Sequence, residues 1–265
     1  MGNDRAGGAA SGVMAGVGAL PRHLLVIRTS AMGDVAMLPH ALRALKAAYP
    51  DLRVTVATRT MFKPFFAGLD VGFLDVDTQG AHRSLVGMWR LAREARRLGV
   101  DAVADVHDVL RSKTFRFLMR LHGIPEACIY KGRAEKREFI RCGGRGMEPL
   151  RHTVLRYCDV FRKLGFVLDD PAPAVHRDRP SPFGKKNGVW VGFAPFSAHQ
   201  GKTYPDGQSR ELVRLLSERY DRVFIHGGGG SEQAFAEEME RMYPNVTALF
   251  GKVRFAGEMV LIANL

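Results

Sequence analysis

His23-Leu24-Leu25-Val26-Ile27-Arg28-Thr29-Ser30-Ala31-Met32-Gly33-Asp34 is the stretch on which the fold turns. Leu24 to Ile27 form a short aliphatic and β-branched run, Thr29 to Gly33 a turn of small residues, and Val35 to Ala48 repeats its apolar residues at helical spacing. The reading is a strand, a tight loop and a helix.

The same order continues outward. Pro50 and Asp51 punctuate before LRVTVATR (52–59), and VGFLDVD (71–77), the helix-like SLVGMWRLAREARRLG (84–99) and the strand DAVADVHD (101–108) follow. Then come the basic helical stretch RSKTFRFLMRLHG (111–123), IYKGR (129–133), a loop-like segment with Gly143, Gly144 and Gly146, and a helix through HTVLRYCDVFRKLG (152–165). Strands that alternate with helices imply a parallel sheet covered on both faces.

A Pro-rich, aperiodic segment, DDPAPAVHRDRPSPFGKKNG (169–188), interrupts this pattern, and the alternation restarts with VWVGFAPF (189–196). QSRELVRLLSERY (208–220), RVFIHGG (222–228), EQAFAEEMERMY (232–243) and NVTALF (245–250) continue it, and a last helix begins at Ala256. The expected organisation is a disordered Gly/Ala-rich leader at 1–21, a first domain at 22–170, a linker at 171–187 and a second, partial domain at 188–265. The leader's apolar stretch is too short and too broken by glycine to span a membrane.

With 265 residues, of which 46% are hydrophobic, the chain can bury a sizeable core in one large or two modest domains. Lys and Arg total 39 against 27 Asp and Glu, so the formal charge of +12 favours a polyanionic partner: nucleic acid, an acidic membrane surface or a phosphorylated substrate. Cys128, Cys142 and Cys158 lack CxxC spacing, which argues against a zinc or redox pair and fits a reducing compartment.

Candidate site residues lie where strands run into helices, the edge at which open α/β sheets bind ligands. After the first strand, Gly33 permits close backbone approach, and Asp34 either caps the helix or acts as a base. GFAPFSAHQGKTYP (192–205) also follows a strand, and its Ser197 and Lys202 suit phosphate oxygens near a helix N-terminus. HGGGGSEQ (226–233) allows a sugar or nucleotide to approach its glycines while Glu232 accepts hydroxyl hydrogen bonds; a flexible turn before a helix-terminal carboxylate is the plainer reading. DVHDVLRS (105–112) leads into a basic helix with Lys113, Arg116 and Arg120, either a phosphate-binding face or a solvated one. Neither the dinucleotide fingerprint GxGxxG nor the phosphate loop GxxxxGK[ST] occurs at the first strand, which argues against hydride transfer and P-loop hydrolysis.

Taken together, RTSAMGD (28–34), DVHDVLRS, GFAPFSAHQGKTYP and HGGGGSEQ resemble glycosyltransferase family 9, the heptosyltransferases that use ADP-heptose. The resemblance runs in motif order from about His23 to the end. It implies a GT-B fold, two Rossmann-like domains facing a cleft, with acceptor on the first and nucleotide sugar on the second. It implies an inverting transfer of heptose or a related sugar to the lipopolysaccharide inner core, with no metal and no cofactor beyond the ADP-sugar donor. In that scheme Asp34 is the general base, Lys202 and Ser197 stabilise charge on the departing ADP, and Glu232 holds donor hydroxyls. Gly33, Arg111 and Lys113 serve a phosphorylated lipid A/core acceptor. The expected location is the cytoplasm, with peripheral contact at the inner membrane and no nucleic acid partner.

Two departures accompany the resemblance. Tyr204 stands where the family has tryptophan, and the later Asp-x-Gly-x-x-His segment is absent, so the second domain is expected to be incomplete. The competing expectations are an inactive truncated remnant, or a noncatalytic basic protein that binds an anionic lipid or nucleic acid through Lys and Arg.

Overall fold

The computed structural model describes residues 19–171, 180–197, 200–228 and 230–265. Positions 1–18 of the expected leader and 172–179 of the expected linker lie outside the described residues. The chain divides into two compact units, Met1–Pro173 and Ala174–Leu265.

The first unit is built on β1 (His23–Ile27), every residue of which is buried. Its side chains alternate between two cores. Leu24 and Val26 pack with α1 (Met32–Ala48) and α5 (Thr153–Lys163) on one face of the sheet. Leu25 and Ile27 pack with α2 (Leu85–Arg97) and α3 (Leu110–Arg120) on the other. Full burial stabilises each of these aliphatic side chains by about 1.5–3 kcal/mol, so this short strand anchors both layers.

Parallel strands extend the sheet on either side of β1. Leu24 pairs with Val54 of β2 (Arg53–Thr58) and with Ala102 of β4 (Ala102–Asp105). β3 (Gly72–Asp75) and β5 (Glu126–Cys128) complete the order β3-β2-β1-β4-β5. A 3-10 segment, Thr60–Phe66, connects β2 towards β3 and buries Phe62 and Phe66 in the α1/α5 layer.

One α-helix was not expected. Residues 133–141, read from the sequence as part of a glycine-rich loop, form the helix α4 (Arg133–Arg141). This helix buries no residue, so there is no apolar stripe to reveal it. Polar contacts hold it instead: Glu135 pairs with the buried Arg156 at 3.0 Å, and Glu138 with Arg141 at 2.6 Å. Its N-cap, Gly132, has φ +58°, and a Cβ there would fall 2.7 Å from the Arg156 guanidinium. Glycine is required at that position.

The second unit is a parallel sheet of β6 (Trp190–Phe193), β7 (Arg222–Ile225) and β8 (Val246–Ala248) in sequence order. Val213 of α6 (Asp206–Arg219) and Phe235, Ala236 and Met239 of α7 (Ser231–Met242) pack on one face. On the other, Leu261 of α8 (Phe255–Ile262) meets Trp190 and Phe224. The expected last helix is therefore present, starting one residue earlier than Ala256. No helix among the described residues is long and apolar enough to cross a membrane.

Candidate active site

In the first sheet, β1 and β4 are neighbours whose connections depart in opposite directions, β1 towards β2 and β4 towards β5. The loops after these two strands therefore separate, which opens a crevice at the carboxyl edge between them. Arg28, Thr29 and Ser30 follow β1, and Val106, His107 and Asp108 follow β4.

Arg28 is buried and organises the crevice. One guanidinium nitrogen donates to the Val106 carbonyl, bridging the two loops, and another pairs with Oδ2 of Asp34 in the first turn of α1. The Arg28 guanidinium also lies 5.8 Å from the Tyr157 ring centroid. The Tyr157 hydroxyl donates to the Asp34 carbonyl at 3.0 Å, and burial strengthens its hold on that proton. Asp34 itself is 37% exposed, a carboxylate fixed from behind and open in front. It does not act as a side-chain cap, because the N-cap of α1 is Ala31, without a side-chain bond.

His107 is also held from both sides, its Nδ1 3.2 Å from Thr29 Oγ1 and its Nε2 3.1 Å from Ser30 Oγ. Burial, reinforced by the charges of Arg28 and Lys131, lowers its pKa to about 4, so the imidazole is neutral at pH 7. The folded pKa lies below the ordinary value of about 6.5, so the unfolded chain binds the extra proton first. Stability is then full above about pH 6.5 and falls as pH drops towards 4, by up to about 3 kcal/mol. His107→Gln should flatten this slope in acid denaturation curves; an unchanged slope would assign the acid sensitivity elsewhere.

Asp105 shapes the loop that presents His107. It is fully buried and accepts the backbone N–H groups of His107 at 2.9 Å and Asp108 at 2.8 Å through one oxygen. Its other oxygen lies 2.9 Å from Arg116 Nε, a charge contact without an aligned hydrogen bond. Arg116 in turn bonds Glu126 at 2.6 Å. Among the expected acceptor residues, Arg111 donates to the Thr78 carbonyl at 3.1 Å and lines a small pocket with Thr29, His107, Val109, Ser112 and Phe115. Lys113 does not line it and lies on the exposed side of α3, 3.7 Å from Asp108. Gly33 is exposed with open space around it, so nothing in the surrounding packing requires glycine there. Beside these loops, Arg59, Thr60, Asp75, Asp77, Gln79 and His82 border a wider hollow that is open to solvent.

In the second unit the expected donor residues also lie beyond strand ends. The loop after β6 closes through Tyr204 N–H to the Pro195 carbonyl at 2.8 Å and Thr203 Oγ1 to the Ser197 carbonyl at 3.3 Å. Lys202, in the 3-10 turn Gln200–Lys202, is exposed, while Ala198 and His199 lie outside the described residues. After β7, Glu232 Oε2 accepts the Gly228 N–H at 2.7 Å, so one of its oxygens already braces the glycine loop. His226 Nδ1 lies 3.9 Å from Glu258 Oε2. Burial lowers the histidine pKa and raises that of the carboxyl, so each favours its neutral form.

Sequence reasoning passed over Arg28, His107 and Tyr157. A charged residue ending an otherwise apolar strand was a usable signal for Arg28, and a histidine between two aspartates at a strand end for His107. Nothing near Tyr157 in the sequence connects it to Asp34.

No protein-family model matches the chain, and none of the curated proteins does. Solved structures do. Escherichia coli heptosyltransferase WaaC, in complex with ADP-2-deoxy-2-fluoro heptose, superposes with a TM-score of 0.69 at 18% identity, over 91% of this chain and 80% of that one. A glycosyl transferase family 9 protein from Veillonella parvula gives 0.66 at 18% identity, over 92% and 73%. Escherichia coli ADP-heptose LPS heptosyltransferase II gives 0.61 at 19% identity, over 91% and 76%. The chain thus has the fold of the family 9 heptosyltransferases, an α/β fold of the GT-B type with two parallel-sheet units.

Proposed function

We propose that this protein is a glycosyltransferase of the heptosyltransferase type, transferring a heptose or related sugar from an ADP-sugar to a hydroxyl of the lipopolysaccharide inner core. The observation that carries this reading is the Asp34 carboxylate, fixed by the buried Arg28 at the open edge between β1 and β4. The donor assignment draws support from the solved heptosyltransferase that holds an ADP-heptose analogue in the same fold.

In the proposed reaction Asp34 takes the proton of the acceptor hydroxyl as its oxygen forms a bond to the anomeric carbon. The bond from that carbon to the β-phosphate oxygen breaks on the opposite side, so configuration inverts and ADP leaves with the electron pair. Lys202 meets the charge growing on the diphosphate, and Ser197 adds a nearby dipole. Glu232, with one oxygen bound to Gly228, offers the other to donor hydroxyls. Arg111, beside His107, offers a cation to a phosphorylated acceptor, and the adjoining hollow, which holds Asp75 and Asp77 besides Arg59 and His82, suits the acceptor's sugar hydroxyls.

The test is incubation with ADP-heptose and a deacylated inner-core acceptor, with product mass and released ADP as readouts. Lys202→Ala should lower the transfer rate about 10²–10³-fold, the scale of losing one transition-state charge contact. Absence of product, together with no calorimetric binding of any ADP-sugar, would remove the proposal.

A further inference from the structure

We propose that the outward faces of α2 and α3 form a docking surface for a bilayer rich in anionic lipid. This goes beyond the transferase reading and stands or falls separately from it.

The two helices lie on the same face of the first sheet and share a core through Met88, Leu91, Phe115 and Met119. Their solvent sides should then be polar, yet Leu85 is 74% and Leu110 83% exposed, and Val86, Trp89, Phe117 and Leu121 are exposed as well. Arg96 Nη1 reaches His122 Nε2 at 3.0 Å, which identifies the flank of α2 nearest α3. At 100° per residue, Leu85, Trp89 and Arg93 share that flank with Arg96. On α3 the same spacing gathers Leu110, Phe117 and Leu121 into one stripe. Large apolar side chains thus line the exposed side of each helix.

The charge around them is one-sided. α2 carries Arg90, Arg93, Arg96 and Arg97 against a single acid, Glu94, and α3 adds the exposed Lys113 and Arg120, its Arg116 being turned inward to Asp105 and Glu126. Two of the aromatics stand under arginines: Arg93 is 5.6 Å from the Trp89 centroid and Arg120 is 6.0 Å from that of Phe117. Exposed aromatics and aliphatics set among arginines match the interface of an anionic bilayer, where rings enter the headgroup level and cations meet lipid phosphates. A second copy of the chain would bring arginines against arginines. Nucleic acid would use the cations but leave Leu85, Leu110 and Leu121 without a role.

The helices also begin at the carboxyl edge of the sheet, the edge that carries Asp34 and His107. A bilayer along this surface would stand beside the candidate site, where a lipid-linked acceptor has its sugars.

The experiment uses the full chain with vesicles of phosphatidylglycerol and phosphatidylcholine, and with vesicles of phosphatidylcholine alone. The protein has 2 tryptophans, and Trp190 is buried, so a blue shift of emission and protection from a soluble quencher report Trp89. Both are expected on the anionic vesicles only, and both should vanish in Trp89→Phe. Arg93→Gln combined with Arg97→Gln should weaken partitioning about 25-fold, at roughly fivefold per cation withdrawn. Trp89→Ser with Phe117→Ser should weaken it further. Circular dichroism and activity on a deacylated, water-soluble acceptor should stay unchanged in these variants. Absence of vesicle binding would overturn the proposal, as would binding that survives both double substitutions. Self-association, or RNA binding, abolished by Trp89→Ser would transfer the surface to that partner and overturn it as well.

Discussion

Asp34→Asn should lower the rate of sugar transfer about 10²–10⁴-fold, the range that a positioned general base contributes, and leave binding of the ADP-sugar unchanged. The substitution preserves the size of the side chain and an oxygen for Arg28, so the loop between β1 and α1 has no steric reason to move. What it removes is the capacity to accept the proton of the attacking hydroxyl. The opposite expectation follows if Asp34 is only a negative charge in the first turn of α1. Helix-terminal charge contributes about 0.3–1 kcal/mol at exposed sites, and loss of the carboxylate paired with the buried Arg28 adds to that cost, so the variant would then be less stable and fully active. Product formation by mass spectrometry and donor binding by calorimetry, made on the same preparation, separate these cases. Near-normal turnover would end the assignment of Asp34 as the base.

Arg116→Met carries the other large expected effect, a loss of about 3–5 kcal/mol in stability, typical when one partner of a buried ion pair is removed. Asp105 has no exposed surface, and the nearest cation to its outer oxygen is Arg116, which also satisfies Glu126. Methionine fills a similar volume and supplies no charge, so two carboxylates remain near one another, Asp105 at the end of β4 and Glu126 at the start of β5. Urea denaturation would measure the change. Double replacement of Arg116 with Met and Glu126 with Gln should recover part of the loss, since the second substitution removes one of the stranded charges. A single-variant loss under about 1 kcal/mol would mean that water or a rotated side chain relieves Asp105.

Parts of this molecule were legible before any coordinates. Leu24 to Ile27 announced a buried strand because only a strand covered on both faces tolerates so many consecutive aliphatic residues. The small residues from Thr29 to Gly33 then fixed the position of the turn, and Asp34 followed as the first ionisable group of the helix. The same logic found the loops carrying Lys202 and Glu232, both of which lie beyond strand ends. Helix α4 was illegible because its contacts are charge pairs, one to Arg156 at a distant position, and leave no periodic apolar pattern. The buried state of Arg28 was equally hidden: an arginine in sequence looks the same whether it meets water or a carbonyl of the loop after β4. His107 is neutral because of its burial and of cations gathered by the fold, which composition does not reveal.

The bond from Tyr157 to the Asp34 carbonyl joins positions 123 apart in the chain, and β1 occupies the middle of its sheet with β4 and β5 still to come. During synthesis, then, the earliest strand to leave the ribosome is the one that waits longest for its neighbours, because contacts that close long loops form late. The carboxylate is made near the beginning, and its support from α5 arrives only when most of the first unit has emerged. A nascent chain halted before residue 153 would carry Asp34 without the tyrosine behind it, and a stalled or prematurely released product would expose the apolar α1 face that α5 covers in the finished protein.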